Sequence, residues 1–442
     1  MVEAGTVGGY LDDVMAGMAG CFRRWEPRFS AKKYVRALMS DLPRKNCWAI
    51  AEYSGDATPG KMQHLLAGAK WDTMGAMAAV RAFVCEHLDD GDAVAILDES
   101  GQEKKGTATI GVQRQYVGCA GRISNAINVV YCSFAVKAGH ALVGARPYLP
   151  ADQAADPGRR ARAGVPADVV FATKPELGRQ MLAQLHAEGR LPPWVTGDEV
   201  YGADPGLRAW LEETEAGYVL GIAKSAPIAL TRAGTARADC ALKTLMASDW
   251  IIDSCGAGSK GERRYAWAWL ATAHPRRHLL IRRSLVPNAK GIREVAFYLC
   301  FVPEGRPVTL RTLIRVAGRR WPVEEDFQTG KDAFGLDHSQ VRTYPALLRH
   351  LVLAIAALAV CAAATAQART TSATALPPTS PDDLPPTDPG LIPLTVTEVK
   401  RLVNLLTRSW HTLEHHLRWH ICRRRHQARA RWFHQRTRLA RR

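Results

Sequence analysis

The stretch Arg320-Trp-Pro-Val-Glu324-Glu-Asp-Phe-Gln-Thr-Gly-Lys331 decides how the chain is read. It sets an arginine, a carboxylate and a lysine at successive spacings of four and seven residues, with Trp321 directly after the arginine. These spacings are about one and two helical turns, so the three side chains are expected to share one face of a helix. Such a face offers one metal ligand and two phosphate-binding cations. Upstream, Asp98 closes the apolar run Ala-Val-Ala-Ile-Leu97, and Asp198 closes Pro-Trp-Val-Thr-Gly197. Two strand-end aspartates and a helical glutamate form the pattern needed to hold a pair of Mg²⁺ ions on a phosphodiester.

Around these carboxylates the hydrophobic period is that of an α/β domain. Ala93–Leu97, Thr107–Tyr116 and Ile127–Lys137 read as strands, Lys174–Gly189 as an amphipathic helix, and Pro193–Gly197 as a brief strand. Pro205–Glu213 follows as a helix and Tyr218–Ala223 as a strand. This order suits an RNase H-like catalytic core, a mixed sheet with antiparallel first strands and helices on its faces. Residues 225–305 read as a β-rich insertion, with strand-like pieces at Tyr265–Leu270, His278–Arg282 and Glu294–Phe301. Arg311–Arg319 and Pro322–Phe334 are expected to be helical, and the catalytic domain as a whole spans 91–366.

Before it, residues 1–90 carry helical periodicity, as in Tyr34–Met39, Lys61–Ala69 and Met74–Leu88, with a helix start at Thr58-Pro59. Basic residues such as Lys32, Lys33 and Arg36 punctuate this N-terminal helical domain. It reads as a DNA-binding domain or as a support for the core. After the core, 367–397 is a Pro/Thr-rich linker, with seven prolines between Thr370 and Thr395. Residues 398–442 form a basic helical C-terminal tail.

Charge bounds the class of partner. The net charge is +17, and Arg401–Arg442 holds twelve arginines against one acidic residue, Glu414. That concentration points to a polyanion, nucleic acid before membrane. The ten cysteines include no Cys-x-x-Cys pair, which suits a reducing cytosol. The N-terminus lacks signal-peptide character. The apolar run Leu351–Ala366 is shorter than the ~18–20 residues of a membrane span and reads as a core helix.

Hard divalent cations take oxygen ligands. Two of them about 3.5–4 Å apart activate a hydroxyl and stabilise a leaving oxygen. Asp98 would bridge both ions, with Asp198 on one and Glu324 on the other. Glu99 and Glu199 compete with their neighbouring aspartates, but adjacent residues of an extended chain point to opposite faces, so one of each pair serves. Glu325 and Asp326 compete with Glu324, which alone keeps Arg320 and Lys331 on its side. Trp321 reads either as a platform for an unstacked base or as a core residue. Lys104 and Lys105 read as phosphate contacts or as a solvated turn. Among six tail histidines, His411/His415 and His416/His420 have i, i+4 spacing suited to Zn²⁺. With no cysteine or acidic ligand to complete such a site, phosphate contact or solvated surface is the better reading.

These residues resemble DDE transposases of bacterial insertion sequences, most closely the IS701 group of the IS4-like set. The stretches that carry the resemblance are Leu97–Gly106, Gly111–Tyr116, Gly121–Asn125, Gly197–Gly202, Arg320 to Lys331 and Gly335–Arg342, with a weak echo at His426-Gln427. Arg320, Glu324 and Lys331 fit the signature tyrosine, two residues, arginine, three residues, glutamate, six residues, lysine; the tyrosine position holds Ala317. The resemblance implies an RNase H-like core with a β insertion before the glutamate. It implies strand cleavage dependent on two Mg²⁺ ions (Mn²⁺ as substitute) and strand transfer. The implied partners are double-stranded DNA, as transposon ends and as target, and further copies of the chain in a homodimer or higher synaptic complex. The implied setting is cytoplasmic and nucleoid-associated, with no membrane. Two other readings are a catalytically silent transposase retained as a DNA-binding protein, and a host nuclease of the same fold.

Overall fold

A computed structural model of the protein describes residues 4–118, 121–231, 234–258, 261–369, 391–407 and 410–440, together with 380, 383–384 and 387–388. Most of the expected linker lies outside the described residues. The chain divides into two compact units. One comprises Val80–Gln328 with Arg342–Tyr344; the other comprises Met1–Ala79, Thr329–Val341 and Pro345–Arg442.

The first unit is mixed α/β, built on a large sheet. Its strands are β1 (Val94–Glu103), β2 (Gln113–Val117), β3 (Arg122–Ala135), β4 (His140–Pro147), β5 (Trp194–Gly197), β6 (Gly217–Ile222), β7 (Pro227–Thr231), β8 (Gly234–Arg237), β9 (Ile251–Gly258), β10 (Gly261–Ala271), β11 (Arg277–Arg283) and β12 (Val295–Phe301). The sheet order is β2-β3-β1-β5-β6-β12-β11-β10-β9. Strand β4 joins the outer edge of β3 beside β2, and β7 and β8 form a separate hairpin. Among the described strands, only β1–β5 and β5–β6 pair in parallel. These central strands are buried on both faces, which is why they read as apolar runs without alternation.

Three expectations change here. Strand β1 does not stop before Asp98 but runs on to Glu103, because β3 pairs with it along its whole length. The segment expected as one strand over Thr107–Tyr116 is strand only from Gln113; before it the chain turns, with Gly111 at φ +78°. Within residues 225–305, expected as a β-rich insertion, the described β7–β8 hairpin is the part that stands apart from the large sheet. Strands β9–β12 continue that sheet, through antiparallel pairing of β12 with β6. Strand β4, hidden between Gly139 and Pro147, was not recognised in the sequence.

The second unit is helical. It contains the helices Ala4–Gly17, Trp25–Leu38, Cys47–Tyr53, Gly60–Ala67, Val396–Thr407 and Leu413–Leu439, and the helix Tyr344–Arg369 from Pro345 onward. The 26-residue helix Tyr344–Arg369 is long and apolar enough to cross a membrane, longer than the apolar run alone suggested. Yet 94% of its apolar window is buried inside the protein. It is pinned by polar contacts: His350 Nδ1 lies 3.0 Å from the Tyr34 hydroxyl, and Arg349 donates to the Leu66 carbonyl at 2.9 Å. The nine described cysteines are free thiols.

Candidate active site

The parallel pairing of β1 with β5 ends at Leu97 and Gly197. Asp98 and Asp198 are the next residues on the two adjacent strands, so the register sets the two carboxylates side by side. Side-chain alternation then decides which way each points. Leu97 faces the helix Lys174–Ala187: a Cβ on Gly178 of that helix would come 2.8 Å from Leu97 Cδ1. Asp98 therefore projects from the other face, where Arg320 Nη1 donates to its Oδ2 at 3.1 Å. Glu99 returns to the face of Leu97. It takes the Lys174 ammonium at 2.5 Å and the Tyr201 hydroxyl at 3.1 Å.

Beyond Gly197 the chain turns into a short helix, Glu199–Gly202. Asp198 caps it, accepting from the Val200 N–H at 2.9 Å. The turn fits only because residue 202 is glycine: a Cβ there would stand 1.8 Å from the Gly221 carbonyl oxygen of β6. Glu199 is exposed.

Glu324 comes from a different element. The helix Leu310–Gly318 ends against β9, where a Cβ on Gly318 would meet the Cys255 carbonyl at 1.9 Å. A new helix, Pro322–Phe334, starts at a proline, which needs no donor in the first turn. Arg320 and Trp321 thus lie in the turn between two helices, not on one helical face with Glu324 as the spacing suggested. Glu324 and Glu325 occupy the first helical turn, where the helix dipole favours negative charge. Asp326 turns inward and is fully buried. Its Oδ1 lies 2.9 Å from His140 Nδ1, and its Oδ2 accepts from the Ser133 hydroxyl at 2.5 Å. Glu325 meets His140 Nε2 at 3.2 Å. Glu324 is exposed at the site.

The electrostatics tie the carboxylates together. Burial pushes Asp98 up to about 7, opposed by Arg320 and the Glu99 N–H and reinforced by the charges of Asp198 and Glu324. Burial also raises Asp198, with Glu99 adding to the rise and Arg320 opposing it. A site that strains to keep its carboxylates ionised is one that a divalent cation would relieve, and every donor is a hard oxygen. In the geometry observed, a guanidinium occupies the side of Asp98. Among the described residues no three His, Cys, Asp or Glu side chains are gathered closely enough to enclose an ion.

The remaining expected residues are placed as follows. Lys331 is on the same helix as Glu324, about two turns on. Trp321 is 47% exposed, with the Arg263 guanidinium over its ring at 5.7 Å. Lys104 and Lys105 sit at the far end of β1, roughly 20 Å along the strand from Asp98. The sequence reading took β1 to end at Asp98 and so set these lysines too close to it. It also missed Lys174, Tyr201, His140 and Arg263. Of these, only Tyr201 lay within a recognised motif.

A family model of DDE superfamily endonucleases matches residues 17–235, which contain Asp98 and Asp198. A model of the transposase DDE domain matches residues 161–360, which contain Asp198 and Glu324. Each match covers just under half of the chain, and together they make residues 17–360 similar to DDE endonucleases and transposases. The chain is 29% identical over 196 residues to a probable transposase for insertion sequence element IS701 from Microchaete diplosiphon. The match covers 44% of this chain and 49% of that protein, so the chain spans about half the length of the curated relative. A solved piggyBac transposase synaptic complex with hairpin DNA matches with a TM-score of 0.44 at 10% identity, over 92% of this chain and 78% of that one.

Proposed function

We propose that the protein is a DNA transposase of the IS701 type, cleaving phosphodiesters at the ends of an insertion sequence and joining them to target DNA. The observation that carries this reading is the placement of Asp98 and Asp198 side by side at the end of the β1–β5 pairing, with Arg320 on Asp98 and Glu324 electrostatically coupled to it. The core is RNase H-like in this reading. The run β4-β3-β1-β5-β6, antiparallel for its first three strands and parallel for its last three, supports that assignment.

In this reading Asp98, Asp198 and Glu324 hold two Mg²⁺ ions, with Mn²⁺ as a substitute. When bound, these ions activate the attacking hydroxyl and stabilise the leaving oxygen. The protein's own part is to position and neutralise. Arg320, beside Asp98, turns to a non-bridging phosphate oxygen, and Lys331 meets the backbone further along. Trp321, exposed at the rim, stacks on an unpaired base. Glu99 stays on the opposite face of β1, held by Lys174 and Tyr201, and orients the Asp198 turn. Lys104 and Lys105 contact phosphates away from the cleavage point. Domains follow the reading from sequence: 91–366 catalytic and 1–90 DNA-binding, with the tail adding charge. The working assembly is a homodimer or higher synaptic complex on paired ends, at the bacterial nucleoid.

The test is incubation of the full chain with a labelled duplex carrying the ends of its own element. Mg²⁺-dependent breaks bearing 3′-hydroxyls, abolished by chelation, are expected. Binding without any cleavage would favour a silent transposase acting through DNA binding alone.

A further inference from the structure

The first and last segments of the chain meet within the helical unit, and the meeting is built from specific side chains. Among the described residues, the helix Leu413–Leu439 is docked through its first half, as far as His426, whose ring lies 4.8 Å from that of Trp48. His411 Nε2 lies 2.8 Å from the Tyr53 carbonyl, and His415 Nε2 lies 2.9 Å from that of Glu52. Both carbonyls end the helix Cys47–Tyr53, so the imidazoles meet the acceptors of its last turn, that of Glu52 also accepting from the Gly55 N–H at 3.1 Å. Trp419 is fully buried and donates its indole N–H to the Asp56 carbonyl at 2.9 Å. Trp48 packs edge-on against it, and Arg423 pairs with Glu52. Of the four histidines with metal-like spacing, His411 and His415 are therefore docking groups, while His416 and His420 are exposed.

Beyond Arg423 the helix is exposed on nearly all sides. Arg424, Arg431 and Arg438 recur every seven residues and make one stripe; Arg425, Arg429 and Arg436 make another. No acidic residue follows Glu414. Like charges four residues apart, such as Arg425 and Arg429, cost a few tenths of a kcal/mol in an isolated helix. A helix that is polar all round and of one sign needs a polyanion to settle it. Trp432 and Phe433 are both exposed, and the Arg436 guanidinium lies over their rings at 5.3 and 4.9 Å. Beside the docking point, Phe29, Lys32, Lys33, Arg36, Tyr53 and His411 line one pocket, so cations of the helix Trp25–Leu38 gather where the C-terminal helix begins, Lys32 paired with Asp12 and Lys33 with Asp56.

We propose that these two ends of the chain form one binding surface for duplex DNA: the pocket cations hold one backbone segment, and the arginine helix runs along the next. From Arg424 to Leu439 the helix extends about 24 Å, a length that lies along a major groove or across its phosphates. The proposal rests on the reading of the protein as a DNA transposase and deepens it. It names a surface outside the DDE site, assembled from residues nearly four hundred positions apart in sequence.

The experiment measures binding of the full chain to a short random-sequence duplex by fluorescence anisotropy across a salt series. In Arg425→Ala/Arg429→Ala/Arg436→Ala, affinity falls for every sequence and the log–log salt slope flattens by about 2 to 3, at about 0.9 per lost phosphate contact. Lys32→Ala/Lys33→Ala/Arg36→Ala flattens it as well. Trp419→Ala keeps every arginine but releases the helix, and binding weakens about tenfold or more. If that variant does not fold, His411→Ala/His415→Ala takes its place. An unchanged slope in the arginine variant, wild-type affinity in a folded undocked variant, or tighter binding to an RNA duplex would overturn the proposal. Wild-type protein that cleaves its ends while the slopes stay unchanged would sink this surface alone. Wild-type protein that binds no duplex would sink the transposase reading with it.

Discussion

Arg320 donates to Asp98 at 3.1 Å from the turn that precedes the helix of Glu324. The guanidinium thus reaches the site from the same turn that leads into the third carboxylate. It faces the more buried of the two strand-end aspartates. Replacing Arg320 by alanine is expected to slow DNA cleavage by about a hundredfold, as loss of one charge-stabilising donor does elsewhere. Single-turnover cleavage checks this, and Arg320→Lys should recover only part of the rate, because a single ammonium lacks the planar fork.

Asp98 makes stability fall as pH rises. Its carboxyl is pushed up to about 7, above the usual carboxylate range near 4. The folded state therefore holds a proton that the unfolded chain has already lost. Stability from this group is whole below about pH 4, declines between about 4 and 7, and is lowest above 7. Asp98→Asn should not carry that decline. Its melting temperature should match the wild type near pH 4 and exceed it above pH 7 in a chelating buffer. A gap that does not open across this window would remove burial as the cause.

The His140–Asp326 pair runs the same way, in a higher pH window. Burial opposes charge on His140, but Asp326 and Glu325 outweigh it and raise the imidazole to about 9. Its contribution is whole below the unfolded value near 6.5 and is lost as pH climbs through about 9. His140→Ala leaves the Asp326 carboxylate buried without its cation, and a loss on the order of 3 kcal/mol is expected in urea unfolding at pH 6. The loss should shrink in Asp326→Asn/His140→Ala, where no charge is left to bury.

Gly202 is expected to tolerate nothing larger. A methyl group there meets the Gly221 carbonyl, so the Asp198 turn must lift away from β6. Gly202→Ala should cost about 1–3 kcal/mol by denaturant midpoint and reduce cleavage beyond that loss, because Asp198 moves with the turn.

Much of this was legible in the sequence where local chemistry sets the outcome. The apolar runs before Asp98 and Asp198 mark strands buried on both faces, and Pro205–Glu213 reads as a helix between the same residues that bound it in the structure. Other features depend on pairing that no local run reveals. Strand β1 continues past Asp98 because β3 is long enough to pair with it, although Ser100-Gly101-Gln102 carries no apolar signal. Strands β9–β12 look like an insertion in sequence and join the central sheet in space, since only the β6–β12 register makes them one. The spacing of Arg320 and Glu324 suits one helical face, but Pro322 starts a new helix between them. Glu99 and Asp98 could be ranked only once Gly178 showed which face Leu97 takes.

The claim that Asp98, Asp198 and Glu324 hold the catalytic cations is tested most directly by thiol substitution with metal exchange. Asp98→Cys, Asp198→Cys and Glu324→Cys should each bind the element's ends normally and fail to cleave in Mg²⁺. Each should regain part of the activity in Mn²⁺, which accepts a sulfur ligand more readily. Glu325→Cys should cleave in Mg²⁺ throughout. Loss of cleavage at Glu325 with Mn²⁺ rescue there, or undiminished Mg²⁺ cleavage by any of the three variants, would contradict the assignment.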